Sequence, residues 1–193
     1  MSIIERCTGC ATEIPSSRAS IGRLLPSVAR EAVKTVALTA LVFLFTVSFI
    51  AQGYEVFGNC MDPNLRTGER LLGSKLAYRL HMPSRGDIVV FKCPANESQI
   101  YVKRVIGLPG ELVEIRQGAV YVNGRRLRES YLIHAPHGSY GPSLIKPGRL
   151  FVMGDYRDCS NDSRYWGQLA LSEVQAKAWV RYWPIKRAGF LGL

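Results

Sequence analysis

Hydrophobic and polar positions follow two regimes along this chain. From Thr35 to Tyr54, 20 residues pass without a charge, and apolar side chains fall on every face of a helical wheel. At about 1.5 Å per residue such a helix reaches roughly 30 Å, the thickness of a bilayer's hydrocarbon core. The pattern predicts a retained transmembrane anchor over residues 34–54, because a cleavable leader has a shorter apolar core and begins nearer the amino end. Residues 1–33 show no periodicity and are expected to form a poorly ordered arm. Past residue 55 the chain turns to short β-branched and aromatic runs. They predict strands at Glu69–Leu72, Ile88–Phe91, Ile100–Leu108, Leu112–Ile115, Ala119–Val122, Leu150–Met153 and Ala178–Tyr182. Asn123-Gly124 predicts a type I′ hairpin, since both residues accept positive φ. Pro109-Gly110, Pro147-Gly148 and Pro83-Ser84-Arg85-Gly86 predict further turns. One short helix is expected at Leu171–Lys177, with Ser172 as its N-cap. The fold class is therefore mainly β: an N-terminal transmembrane helix, then a compact antiparallel sheet domain over residues 55–193.

Composition changes this picture little. A chain of 193 residues that is 47% hydrophobic can bury one good core. A net charge of +10 points to nucleic acid or to anionic lipid. The basic residues are spread out, and their densest cluster, Arg125, Arg126 and Arg128, lies beside a turn without interleaved aromatics. No motif of a nucleic-acid reader is present, so nucleic acid is set aside as a partner. Arg6, Arg18, Arg23, Arg30 and Lys34 precede the apolar segment. The positive-inside rule then keeps the arm in the cytoplasm and sends the bulk of the chain across, as a single-pass protein of the cell membrane.

The five cysteines divide by that topology. Cys7 and Cys10, a lone Cys-x-x-Cys in the arm, are half a zinc site with no second half nearby, so no metal is implied. Cys60, Cys93 and Cys159 fall on the far side, where disulfides persist. Three is odd, so one at least is free or bonds another chain. If Cys60 is a nucleophile, Cys93 and Cys159 are left as a possible bridge. His81, His134 and His137 show no ligand spacing. A papain-like pair of Cys60 with His134 or His137 has no support in the residues around them.

Three blocks carry the chemistry. They are Gly58-Asn59-Cys60-Met61-Asp62-Pro63-Asn64-Leu65, Tyr101-Val102-Lys103-Arg104-Val105-Ile106-Gly107-Leu108-Pro109-Gly110-Glu111, and Gly154-Asp155-Tyr156-Arg157-Asp158-Cys159-Ser160-Asn161-Asp162-Ser163-Arg164. In this order they resemble the bacterial type I signal peptidases, membrane-anchored proteases with a Ser/Lys dyad and a coiled antiparallel sheet. The family's first block reads Ser-Met-x-Pro-Thr-Leu, its serine being the nucleophile; here the matching atom is the sulfur of Cys60.

The resemblance implies Lys103 as general base and Ser160 as the hydroxyl that holds it. On a strand, Lys103 shares its face with Tyr101 and Val105, where desolvation favours the neutral amine a base requires. The resemblance also implies an oxyanion site at the Cys60 backbone N–H. At Gly58 some members carry a serine whose hydroxyl adds a second donor. It implies apolar substrate pockets walled by Val56, Phe57, Met61, Leu65, Tyr101 and Val102, and structural support from Asp155, Arg157, Asp162 and Arg164. Tyr156 departs from the family's asparagine. The expected activity is removal of N-terminal signal peptides from exported preproteins after small residues of Ala-x-Ala type, with no cofactor. A non-catalytic binder of signal peptides is the alternative.

Overall fold

A computed structural model of the chain describes residues 18–94 and 96–191, by backbone alone at 18–27, 46–50, 96 and 97. Cys7, Cys10 and the arm up to residue 17 lie outside the described residues. The chain divides into two compact units, the second being Thr46–Leu193.

Helix α1 runs Arg18–Ile50. Half of the arm expected to be irregular is thus helical. Its leucines, alanines, arginines and Glu31 are good helix formers, and a long downstream helix removes the cost of nucleating them separately. Thr35 and Thr39 return their hydroxyls to the carbonyls of Glu31 and Thr35, at 2.9 and 2.8 Å, which satisfies both donors within the helix. Among the described residues, no helix is long and apolar enough to cross a membrane. The anchor expected over 34–54 is also shortened from its far end. Residues Ala51–Glu55 form strand β1, paired antiparallel with β2, Arg70–Ser74. The polar pair Gln52-Gly53 and the aromatic Tyr54 suit a sheet edge better than another helical turn.

The remaining strands are β3 Ile88–Cys93, β4 Asn96–Gly107, β5 Leu112–Arg116, β6 Ala119–Val122, β7 Arg125–Arg126, β8 Tyr140–Leu144, β9 Arg149–Met153, β10 Leu169–Ala170, β11 Val174–Trp183 and β12 Gly189–Phe190. All pairings are antiparallel. One sheet has the order β1-β2-β11-β3-β4-β9-β10, with β12 on the side of β11; the other has the order β7-β6-β5-β8. Two single-turn helices, α2 Ala77–Leu80 and α3 Ser163–Trp166, sit in connections.

The predicted hairpin at Asn123-Gly124 is present, with φ of 51° and 75° and Val122 opposite Arg125. The helix expected at Leu171–Lys177 is not. A single 3-10 turn covers Leu171–Glu173, and β11 begins at Val174. Ala176 is fully buried among neighbouring strands, so tertiary packing overrides alanine's helical preference.

Strands β3 and β4 are central because both of their faces are covered. Ile88 and Val90 pack with Met61, Leu65, Leu71, Ala176 and Ala178, while Val89, Phe91 and Val105 pack with Leu150, Val152 and Leu169. That is why β3 reads as an unbroken apolar run rather than an alternation. A third cluster, with Val113, Ile115 and Val120, joins the second sheet to Ile106 and Phe151.

Candidate active site

Cys60 stands in the loop between β1 and β2, just after Val56 is tied to that loop. Val56 N–H donates to Glu69 O and Gly68 N–H to Val56 O, both at 2.9 Å, so the loop returns on itself. Thr67 Oγ1 donates to Gly58 O at 3.0 Å. Gly58 has φ 83°, the left-handed region in which a side chain would be strained, and no side-chain donor exists there. Beneath this loop Met61 and Leu65 are buried completely. They anchor the backbone on either side of Asp62–Asn64 and aim Cys60 at β4. The Cys60 thiol meets the Val102 carbonyl at 3.8 Å, and the Cys60 N–H donates to no described residue.

Lys103 lies on β4 opposite Val89 of β3 and is 3% exposed. Its amine sits 5.2 Å from the Tyr101 ring centroid and has no hydrogen bond or ion pair with a described residue. For a lysine this is unusual, because a buried ammonium normally has a counter-charge. Burial pushes the Tyr101 phenol upward, with the Cys93 thiol adding to the effect and Asn161 opposing it.

Ser160 is 7% exposed, and its hydroxyl likewise has no hydrogen-bond partner among the described residues. Gly154 explains how it approaches. A Cβ on Gly154 would lie 2.2 Å from Ser160 Oγ and 2.4 Å from the Cys60 carbonyl oxygen, so only glycine lets the two loops close. Tyr156 N–H completes the junction by donating to Cys60 O at 3.0 Å.

Ion pairs hold the third block. Arg104, on the face of β4 opposite Lys103, forms a bidentate pair with Asp155 at 2.8 and 2.7 Å, and Asn64 Nδ2 donates to the same carboxylate at 2.8 Å. Arg157 is fully buried, bonds Glu129 at 2.5 and 3.1 Å and donates to Gly154 O at 3.0 Å. Asp162 and Arg164 pair at 2.8 Å, Asp162 also accepts from Gly154 N–H at 3.0 Å, and Arg164 donates to Arg157 O at 2.6 Å. Paired, hydrogen-bonded charges of this kind are rigid, since breaking any one leaves a buried charge behind.

Cys60, Lys103, Val56, Phe57, Gly58, Met61, Tyr101 and Val102 line one groove of about 800 Å³. Phe57 stands at its rim, 77% exposed. Leu65, expected in the pocket wall, belongs to the core underneath instead. Tyr54, Gln99, Cys159 and Asn161 also line the groove and were not expected there, Cys159 having been read only as a possible bridge partner of Cys93. Cys159 and Asn161 flank Ser160 at i−1 and i+1, a spacing that could have drawn attention to them. Arg104 and Glu129 were missed because their partners, Asp155 and Arg157, lie far off in sequence. Cys60, Cys93 and Cys159 are all free thiols. His134 and His137 do not line the groove. His137 Nδ1 instead meets Asp158 at 2.6 Å, which leaves the cysteine–histidine pairing without geometry.

The sequence model of the family described as signal peptidase, peptidase S26, matches residues 29–183. A protein of Synechocystis named probable signal peptidase I-2 is 37% identical over 163 residues, which are 82% of this chain and 75% of its own. A signal peptidase I of Leptolyngbya laminosa is 35% identical over 169 residues, 84% of this chain and 83% of its own. A crystal structure of a signal peptidase I from Enterococcus faecalis shares 36% identity, covering 50% of this chain and 97% of that one, with a TM-score of 0.46.

Proposed function

Because the chain belongs to the signal peptidase family and is a peptidase, we propose that it cleaves signal peptides from exported preproteins with a Cys60/Lys103 dyad. The observation that carries this reading is a buried lysine without a counter-charge in the same groove as a free thiol.

Lys103 takes the Cys60 proton, and the thiolate attacks the scissile carbonyl carbon. The uncommitted Cys60 N–H receives the oxyanion. Lys103 then returns the proton to the departing amine and afterwards draws one from the water that hydrolyses the thioester. Ser160 is the positioning residue for Lys103, with its unpartnered hydroxyl free to accept from the amine. Val56, Met61, Tyr101 and Val102 make the groove floor apolar. Large side chains are rejected there by contact, a stronger filter than hydrophobic attraction. That fits small residues before the cut. Asp155, Arg157, Asp162 and Arg164 hold the loop that carries Ser160.

The protein acts at a membrane, on this reading, with 1–33 as arm, 34–54 as anchor region and 55–193 as the catalytic domain. Val36, Leu38, Leu41, Val42, Phe43, Leu44 and Phe45 support it, exposing between 57% and 68% of their surfaces. An apolar surface that large needs lipid or protein against it.

The test is cleavage of a preprotein by the detergent-solubilised chain, beside Cys60→Ala, Cys60→Ser and Lys103→Ala. Wild type should cleave, while Cys60→Ala and Lys103→Ala should each fall by about 10³-fold or more. An inert wild type beside an active Cys60→Ser would sink the cysteine nucleophile and leave a binder of signal peptides.

A further inference from the structure

Two thiols open on one groove. Cys60 is half-buried and Cys159 exposed, and both line it. Their backbones are joined locally. The Tyr156 N–H that bonds Cys60 O at 3.0 Å directly precedes the 3-10 turn Arg157–Cys159. Ser160, the residue after Cys159, crowds the Gly154 α-carbon together with the Cys60 carbonyl. Arg164 bonds the carbonyls of Arg157 and Ser160, at 2.6 and 3.4 Å, so the flanks of the turn are held while Asp158 and Cys159 stay at the surface. The third thiol, Cys93, is 1% exposed on β3 and does not line the groove.

We propose that Cys60 and Cys159 are a reversible modification site, closed into a disulfide by peroxides. For its effect on turnover this rests on Cys60 being the nucleophile; for the bond itself it does not. The Cys60 thiolate attacks one peroxide oxygen and breaks the O–O bond, giving a sulfenic acid and, from hydrogen peroxide, one water. The Cys159 thiolate then attacks the Cys60 sulfur and expels hydroxide, which takes up a proton as a second water. Two thiols lose two electrons and two protons, and one peroxide becomes two waters. A dithiol reverses the bond by exchange. The disulfide removes the attacking sulfur and also protects it, because a sulfenic acid without a nearby thiol runs on to irreversible sulfinic acid.

The experiment treats full-length protein in detergent with hydrogen peroxide, maps linked peptides by mass spectrometry, and then adds dithiothreitol. A Cys60–Cys159 linkage is expected in wild type, lost on reduction. Each variant's preprotein cleavage is scored against its own reduced activity. Wild type should regain most of it, and Cys159→Ser about a fifth of that or less, with Cys60 found as sulfinic acid. A Cys93–Cys159 linkage, or equal recovery in Cys159→Ser, overturns the proposal. The mapping does not depend on turnover. An inert reduced wild type overturns the nucleophile, and the presence or absence of the Cys60–Cys159 linkage still decides this inference.

Discussion

Sulfur in place of oxygen at residue 60 changes what the surrounding atoms must do. A thiol gives up its proton more readily than a hydroxyl, so in the proposed dyad the first step would ask less of Lys103, whereas the departing amine would still need its proton. The position of the sulfur depends on a backbone contact that tolerates no added atom. Gly154 lies against Ser160 Oγ and the Cys60 carbonyl, and a methyl there must displace one or both. Gly154→Ala should therefore cost about 1–3 kcal/mol of stability through overpacking, read from the urea midpoint. It should lower kcat by about 10²-fold, because a shift near 1 Å at reacting atoms costs that much. Unchanged kcat in a destabilised variant would show that the contact supports folding and leaves the dyad in place. The candidates Cys60 and Lys103, which share the groove, were legible from their blocks. The need for glycine at 154 was not, because it arises from two loops meeting across nearly a hundred residues of chain.

At the scale of elements, two tyrosines are clamped to acids beside the strands that carry the site. Tyr78, on α2, donates to Asp87 at 3.1 Å, and Tyr131 donates to Glu129 at 2.6 Å. Burial first, and the adjacent carboxylate second, push both phenols far above their usual range. The folded chain thus keeps protons that unfolded tyrosines release above about pH 10. Stability is whole below that pH and falls above it, by about 1.4 kcal/mol per pH unit for each such tyrosine. Urea midpoints from about pH 9 to 11 should decline less steeply in Tyr78→Phe than in wild type; equal slopes would mean that Tyr78 ionises freely in the fold. Strand β6 was readable with its observed bounds, because Asn123-Gly124 and the β-branched run agree locally. Residues 171–177 were not, since Ala176 favours a helix alone and becomes strand only when it pairs with Val90 of β3. The short strands β7, β10 and β12 left no local pattern and exist through their partners.

At the scale of the whole molecule, β1 decides where the chain can be cut. A chain starting at Thr46 keeps Ala51–Glu55 paired with β2, so it should fold and retain preprotein cleavage in detergent while losing most partition onto vesicles of mixed anionic lipid. A chain starting at Val56 loses that strand and uncovers Leu72 and Gly73, whose partners are Gly53 and Gln52. It should unfold at clearly lower urea than the first, by about 2 kcal/mol or more. Equal vesicle binding by the Thr46 chain and the full chain would remove the anchor from the account.

By itself the sequence determined the strand-rich character of the chain, its turns, the one long apolar segment and the residue types of the candidate cysteine–lysine site, because each is written in neighbouring positions. Tertiary structure alone decided that Tyr54 belongs to a sheet, that Leu65 is core and not pocket, that Arg104 braces Asp155, and that Cys159 shares the groove of Cys60. Each of these depends on what packs against the residue from a distant part of the chain.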